Sequence, residues 1–255
     1  MQDIQLLYGD CLELIKDIPD GSIDMILCDL PYGTTALKWD IIIPFEPLWE
    51  QYKRIIKPNG AIALNASQPF TTDLINSNRE MFKYELIWHK DKPSDFGNSN
   101  IKPLRYHENI LIFYSKTPVY NKSFEKRDGS GTNRAKYVVN YKPNLNEHKF
   151  GMKAMIIKPR EEQKAIGSVI KISTGRRGEV KHPTVKPIAL FEHLIKTYTN
   201  EGDLILDNAS GSATTAIAAI NTNRRCICME KDEAYFKLGK KRVDDHIKSL
   251  QGKLF

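Results

Sequence analysis

A chain of 255 residues with 41% hydrophobic and 27% charged side chains has the composition of an ordinary globular protein, which excludes disordered, collagen-like and fibrous classes. Its apolar runs are strand-sized and broken by charges, so no membrane span is expected, and Met1-Gln2-Asp3 lacks the basic region of a secretory signal, which makes the cytoplasm the expected compartment. The net charge of +7 is regional, because Ser115 to Lys181 holds sixteen Lys and Arg against six Asp and Glu, a local +10 that leaves −3 for the remainder.

The elements follow in chain order. Ile4-Gln5-Leu6-Leu7 reads as a short strand, and Asp10, after Gly9, is placed to cap the helix that begins at Cys11. Pro19-Asp20-Gly21 turns the chain into the apolar run Ile23 to Cys28, which Asp29-Leu30-Pro31-Tyr32 closes. Open α/β sheets place their chemistry beyond the carboxyl ends of their strands. There a carboxylate, a proline-restricted backbone and a ring suit holding a planar group by its amine while the ring stacks on its face. The plainer reading is a strand-ending turn without chemistry.

A helix from Phe45 to Ile56, a turn at Pro58-Asn59-Gly60, the strand Ala61 to Asn65 and a helix after Pro69 continue the alternation. Two β-rich runs, Phe82 to His89 and Asn109 to Tyr114, flank the polar loop Asp91 to Pro103. Ser115 to Lys181 has little sustained periodicity and reads as an inserted, irregular module. Its basic excess is interleaved with Tyr120, Phe124, Tyr137, Tyr141 and Phe150, the pattern of a phosphate-tracking surface, although a solvated loop face has the same composition.

Alternation then resumes with a helix after Pro187, the strand Leu204 to Leu206, a helix from about Ser212 to Ala219, the strand Cys226 to Met229 and a terminal helix from Asp232. Between strand and helix, Asp207-Asn208-Ala209-Ser210-Gly211-Ser212-Ala213-Thr214-Thr215 is a small-residue turn that lets the backbone approach a ligand and offers helix N–H groups to a carboxylate. It also serves simple helix packing. Glu230 ends the next strand, where an acidic side chain accepts hydrogen bonds from ribose hydroxyls or merely flanks a helix. Cys11, Cys28, Cys226 and Cys228 read as buried thiols, and no metal site is expected because no C-x-x-C pair or histidine cluster is present.

Asp29-Leu30-Pro31-Tyr32 resembles the D-P-P-Y signature of the amino DNA methyltransferases, with Leu30 in place of the first proline. Asp207 to Thr215 is similar to that family's D-x-F-x-G-S-G-T-T element, with Ala209 replacing Phe and Ala213 replacing Gly, and His182-Pro183-Thr184-Val185-Lys186-Pro187 looks like its H-P-x-x-K-P element. Their order is the permuted order of the family's β group. The resemblance covers about residues 4 to 114 and 182 to 245.

It implies a Rossmann-like α/β fold: a permuted, doubly wound, mostly parallel sheet with one antiparallel edge strand and a target-recognition region over 115–181, inserted between 1–114 and 182–255. The implied activity is methyl transfer from S-adenosyl-L-methionine to the exocyclic amine of a flipped DNA base, adenine N6 before cytosine N4. Asp29, Pro31 and Tyr32 are the implied catalytic residues. The implied cofactor residues are Asp10, Asp29, Thr184, Lys186, Asp207, Asn208, Ala209, Gly211, Ser212, Thr214 and Glu230.

Within the insert, Arg134, Arg176 and Arg177 are candidates for DNA contact. Trp39 is read as loop packing or as a wall of the base pocket, and His89, Lys90 and Lys92 as exposed loop charges or contacts to the DNA backbone. DNA is the implied partner; a homodimer, which the β group often forms, and a separately encoded restriction endonuclease stay open. Two rivals remain: an amino methyltransferase acting on RNA or protein glutamine, and a non-catalytic DNA-binding relic that binds no cofactor.

Overall fold

The computed structural model describes residues 3–35, 37, 40–126, 163–175 and 185–252. In chain order the elements are β1 (Ile4–Tyr8), α1 (Cys11–Leu14), β2 (Ile23–Cys28), α2 (Phe45–Ile55), β3 (Ile56–Ala66), α3 (Phe70–Ser77), β4 (Phe82–Ser94), β5 (Arg105–Phe113), β6 (Phe124–Lys126), β7 (Gln163–Ala165), β8 (Val169–Lys171), α4 (Ile188–Tyr198), β9 (Leu204–Asp207), α5 (Thr214–Asn221), β10 (Arg225–Glu230) and α6 (Glu233–Gln251). Contacts divide the chain into Met1–Asn121 with Ser168–Phe255, and Lys122–Gly167. In the second unit β6 and β7 pair antiparallel, Phe124 opposite Ala165.

The larger unit is built on one sheet of eight strands in the order β1-β10-β9-β2-β3-β5-β4-β8. β1, β10, β9, β2 and β3 run parallel, so their carboxyl ends lie along one edge. β5 is antiparallel to both β3 and β4, while β8 is parallel to β4. The expected single antiparallel strand therefore exists but lies inside the sheet. The edge position is taken by β8, whose residues 169–171 the sequence reading had assigned to the irregular insert.

Alternation along β2 shows how two faces are covered. Met25 and Leu27 point into one core with Leu190, Phe191, Ala216, Ile217 and Val243 from α4, α5 and α6, whereas Ile26 and Cys28 point into the other with Ile15, Leu48, Tyr52, Phe70 and Leu74, which come from α2, α3 and the turn after α1. A parallel strand buried on both faces favours apolar residues on both, which is why Met25 to Cys28 reads as a continuous run, while the half-buried Asp24 is paired with Lys57 at 2.6 Å. Each such side chain removed from water contributes about 1.5–3 kcal/mol.

Pro58-Asn59-Gly60 is not a turn between elements, as its composition predicts, but a bulge within β3: Ile56 pairs with Ile23 and Ala61 with Met25, so the chain between them has surplus residues. Gly60 is required there, because a Cβ would meet the Ile56 side chain at 2.7 Å and the Asp24 carbonyl at 2.9 Å. No helix among the described residues is long and apolar enough to cross a membrane.

Candidate active site

Four neighbouring parallel strands bring four acidic side chains to one edge. The order β1-β10-β9-β2 sets Asp10, Glu230, Asp207 and Asp29 at successive strand ends, over a span of about 14 Å at the usual strand spacing. Tyr8 pairs with Glu230, and the Gly9 N–H donates to the Glu230 carbonyl at 3.0 Å. Residues 221 positions apart in sequence are thus fixed side by side by ladder hydrogen bonds.

At the β2 end, Leu30 is buried in the core below the sheet edge, which anchors the backbone between Asp29 and Pro31. Tyr32 lies half-buried with one ring stacked on Phe70, centroids 5.2 Å apart, and its hydroxyl donates to Asp29 Oδ1 at 2.8 Å. Burial, with the Asp29 charge beside it, pushes the Tyr32 phenol well above its ordinary value, so it stays a donor. Beyond Tyr32 the chain is pinned by Asp40, whose carboxylate accepts the N–H groups of Gly33, Thr34 and Thr35 and the Thr35 hydroxyl at 2.7–3.0 Å.

Lys186 joins this group from the segment before α4. Its ammonium donates to Asp29 Oδ2 at 2.7 Å, lies 3.2 Å from Glu108 Oε2 and sits 5.6 Å from the Tyr32 ring centroid. Glu108 on β5 also pairs with Lys90 on β4 at 3.0 Å, and Lys90 donates to Ser94 Oγ at 2.9 Å. Burial alone would neutralise Lys186 and Glu108. The Asp29 and Glu108 carboxylates overturn it for Lys186 and hold its pKa above the ordinary lysine value, while Lys186 and Lys90 overturn it for Glu108 and hold that carboxyl below its ordinary range. Both therefore remain charged.

Lys90 was read from sequence as an exposed loop charge or a DNA-backbone contact, and the structure corrects that. The strand runs on past His89 to Ser94, and Lys90 turns inward, 4% exposed, while His89 and Lys92 are exposed.

The other end of the edge is held by main-chain groups. Asp207 accepts the Ala209 N–H at 3.1 Å and the Thr215 hydroxyl. Glu230 accepts the N–H groups of Gly211 and Asp232, each at 2.8 Å, and its burial raises its pKa. Asp10 caps α1 as expected, accepting the Leu12 N–H at 2.9 Å. Gly211 and Ala213 both adopt positive φ, 51° and 58°, and Ala213 is the residue that stands where the related element has glycine.

Ser212 and Thr214 are buried, and Arg242 on α6 holds them, its guanidinium donating to the Ser212 carbonyl, to Ser212 Oγ at 2.7 Å and to Thr214 Oγ1 at 3.5 Å. Asn208 accepts from the Tyr52 hydroxyl, and its buried amide N–H group has no partner among the described residues.

Of the residues singled out from sequence, the structure brings Asp29, Tyr32 and Lys186 into direct contact, leaves Pro31 half-buried beside them, and ranges Asp10, Asp207, Asn208, Ala209, Gly211, Ser212, Thr214 and Glu230 along the same edge. Thr184, Trp39, Arg134, Arg176 and Arg177 lie outside the described residues. Glu108, Asp40 and Arg242 were not foreseen.

The sequence profile of the N6/N4 DNA methylase family matches residues 23–241. The DNA adenine methyltransferase YhdJ of Escherichia coli (strain K12) is 28% identical over 257 residues, covering 94% of this chain and 82% of that protein. The type II methyltransferase M2.MboI of Moraxella bovis is 26% identical over 273 residues, covering 96% and 89%. Among solved structures, the M1.HpyAVI–SAM complex superposes with a TM-score of 0.63 at 25% identity, covering 94% of this chain and 98% of that one.

Proposed function

The chain belongs to the N6/N4 DNA methylase family and is an S-adenosylmethionine-dependent DNA methyltransferase, and from that premise we propose that it methylates adenine N6 with Asp29 as the acceptor that orients the amine. The observation that carries the assignment is the placement of Asp29 at the end of β2, its two oxygens already directed by the Tyr32 hydroxyl and the Lys186 ammonium. The adenine choice is supported by the name of YhdJ.

The residues at the neighbouring strand ends fit the cofactor. Glu230 and Asp10 offer carboxylate oxygens that each keep a second acceptor position, and Asn208 keeps a buried N–H for a further oxygen. When bound there, S-adenosylmethionine supplies an electrophilic methyl group on a positively charged sulfur.

The chain's own contribution is orientation. An exocyclic amine is a poor nucleophile because its lone pair is delocalised into the ring. Asp29 and the carbonyl of Leu30 or Pro31, each accepting one amine hydrogen, favour a pyramidal nitrogen whose lone pair is directed outward, and positive charge develops on it only in the transition state. Tyr32 offers its remaining face to the base, which has to leave the duplex to reach the strand end. Asp29 takes up the proton after methyl transfer, when the nitrogen has become acidic. Lys186 stays protonated throughout and serves to fix the Asp29 carboxylate.

The insert, 115–181 by sequence and centred on the unit Lys122–Gly167, supplies target recognition in this reading through its basic and aromatic residues, Arg134, Arg176 and Arg177 among them. The type II names of relatives support a separately encoded endonuclease, and a homodimer and a cytoplasmic location belong to the same proposal.

Sequencing the DNA of a host that expresses the protein, by a method that reads modified bases, should give N6-methyladenine at one recurrent site; N4-methylcytosine there would overturn the choice of base. Asp29→Ala should abolish methylation and leave the cofactor dissociation constant within about a few-fold, because the lost contact belongs to the transition state. Near-normal turnover in that variant would reject Asp29.

A further inference from the structure

Asp29 is not held by a lone lysine. Lys186, which fixes its carboxylate, is shared with Glu108, and Glu108 is shared in turn with Lys90, so that two carboxylates and two ammoniums form one chain from β2 through the approach to α4 and β5 to β4. Lys90 and Lys186 are 4% and 8% exposed, and Glu108 is half-buried between them. The formal charge of the four is zero.

A lysine bound to Asp29 has two opposing effects on the reaction. It fixes the carboxylate, which favours transfer. It also cancels the negative charge that has to face a nitrogen becoming positive, which opposes transfer. A second lysine nearby would worsen the cancellation, leaving net positive charge in a water-poor site where such charge is screened little.

We propose that Glu108 is a positioning residue of the methyl transfer: by neutralising Lys186 and Lys90 together, it lets Lys186 fix the Asp29 carboxylate while leaving the field of that carboxylate available to the developing charge on the base nitrogen. β5 makes this possible. Because it runs against its neighbours, its amino-terminal end lies at the sheet edge where the parallel strands end, so Glu108 reaches the site from a strand outside the three motif segments read from sequence. The inference rests on the reading of Asp29 as the amine acceptor.

The experiment measures single-turnover methyl transfer to DNA, cofactor affinity by calorimetry and melting temperature. Glu108 lies roughly 8 Å from the reacting nitrogen, counting one hydrogen bond beyond the two ion pairs. A unit charge removed at that distance, at an effective dielectric constant near 20, slows the chemical step about 30-fold. Glu108→Gln should show that loss with cofactor affinity within about two-fold, and Glu108→Asp, which keeps the charge, should stay within about tenfold of the wild type.

The double variant Lys90→Gln/Glu108→Gln returns the group to zero charge and should be faster than Glu108→Gln, whereas a merely structural role would make it slower. It also buries no surplus lysine, so if Glu108→Gln alone does not fold, the double variant should transfer methyl within about tenfold of the wild type. A wild-type rate in folded Glu108→Gln, a double variant no faster than the single one, or a folded double variant slowed beyond about a hundredfold would each overturn the inference. Asp29→Ala is measured alongside; full activity there overturns the Asp29 reading and this inference with it, whereas a wild-type rate in Glu108→Gln overturns this inference alone.

Discussion

Asp207 is buried at the end of β9, and that burial pushes its carboxyl up to about 6 against the hydrogen bonds from Thr215, the Ala209 N–H and the Cys28 thiol. An unfolded aspartate titrates near 3.9, so between about pH 4 and pH 6 the folded chain holds a proton that the unfolded chain has lost. The stability tied to this group is therefore full below about pH 4 and is lost as pH rises through about 6, by roughly 3 kcal/mol. Asp207→Asn cannot titrate there. Its unfolding free energy should gain on the wild type by up to that amount between pH 4 and pH 7 in urea titrations, and parallel pH profiles would count against the burial argument. At this scale Asp29, Tyr32 and Lys186 were legible because each stands in a short local pattern. Glu108 was not, since its partners are 18 and 78 positions away and only the antiparallel course of β5 brings them together. Lys90 was misread because its strand continues beyond His89 to Ser94, so that residue 90 follows the strand's alternation and is buried like Trp88.

The paired ends of β1 and β10 set Asp10 and Glu230 side by side, and Glu230 in addition holds the Gly211 and Asp232 N–H groups. Two hydrogen bonds from neutral hydroxyls to a charged acceptor contribute on the order of 2–4 kcal/mol. Glu230→Ala should accordingly weaken cofactor binding roughly 30- to 1000-fold in calorimetry, and unchanged affinity would remove Glu230 from the site. Elements with a strong period were legible. α2 starts and stops within a residue of its sequence bounds, α4 and α6 start within a residue of theirs, and α1 is capped by Asp10 and α6 by Asp232. What failed was long-range geometry. Pro58-Asn59-Gly60 has turn chemistry, and only the register against β2 turns it into a bulge. The three residues of β8 carry no period of their own, and their place beside β4 comes from pairing Ile87 with Val169.

In the proposed reading the whole molecule divides its work between a sheet that does chemistry and a basic segment that finds the target. Deleting residues 122–167 should spare cofactor binding and eliminate site-specific methylation, as read by calorimetry and by sequencing of modified bases. DNA affinity of the intact chain should fall steeply with salt, and each phosphate contact removed should lower the slope of log affinity against log salt by about one unit. Retained site specificity after deletion would move recognition to the Asp91 to Pro103 loop. The strand order also governs how such a chain comes into being. β9 and β10 lie between β1 and β2, yet among the described strands they are made last. Until residue 230 has emerged, β1 has no neighbour, and β2, which leads into Asp29, lacks one flank until β9 is made. Until then a growing chain carries open strand edges, a state exposed to wrong pairing. It also cannot assemble the edge that carries Asp10, Glu230, Asp207 and Asp29 before residue 230 has been made.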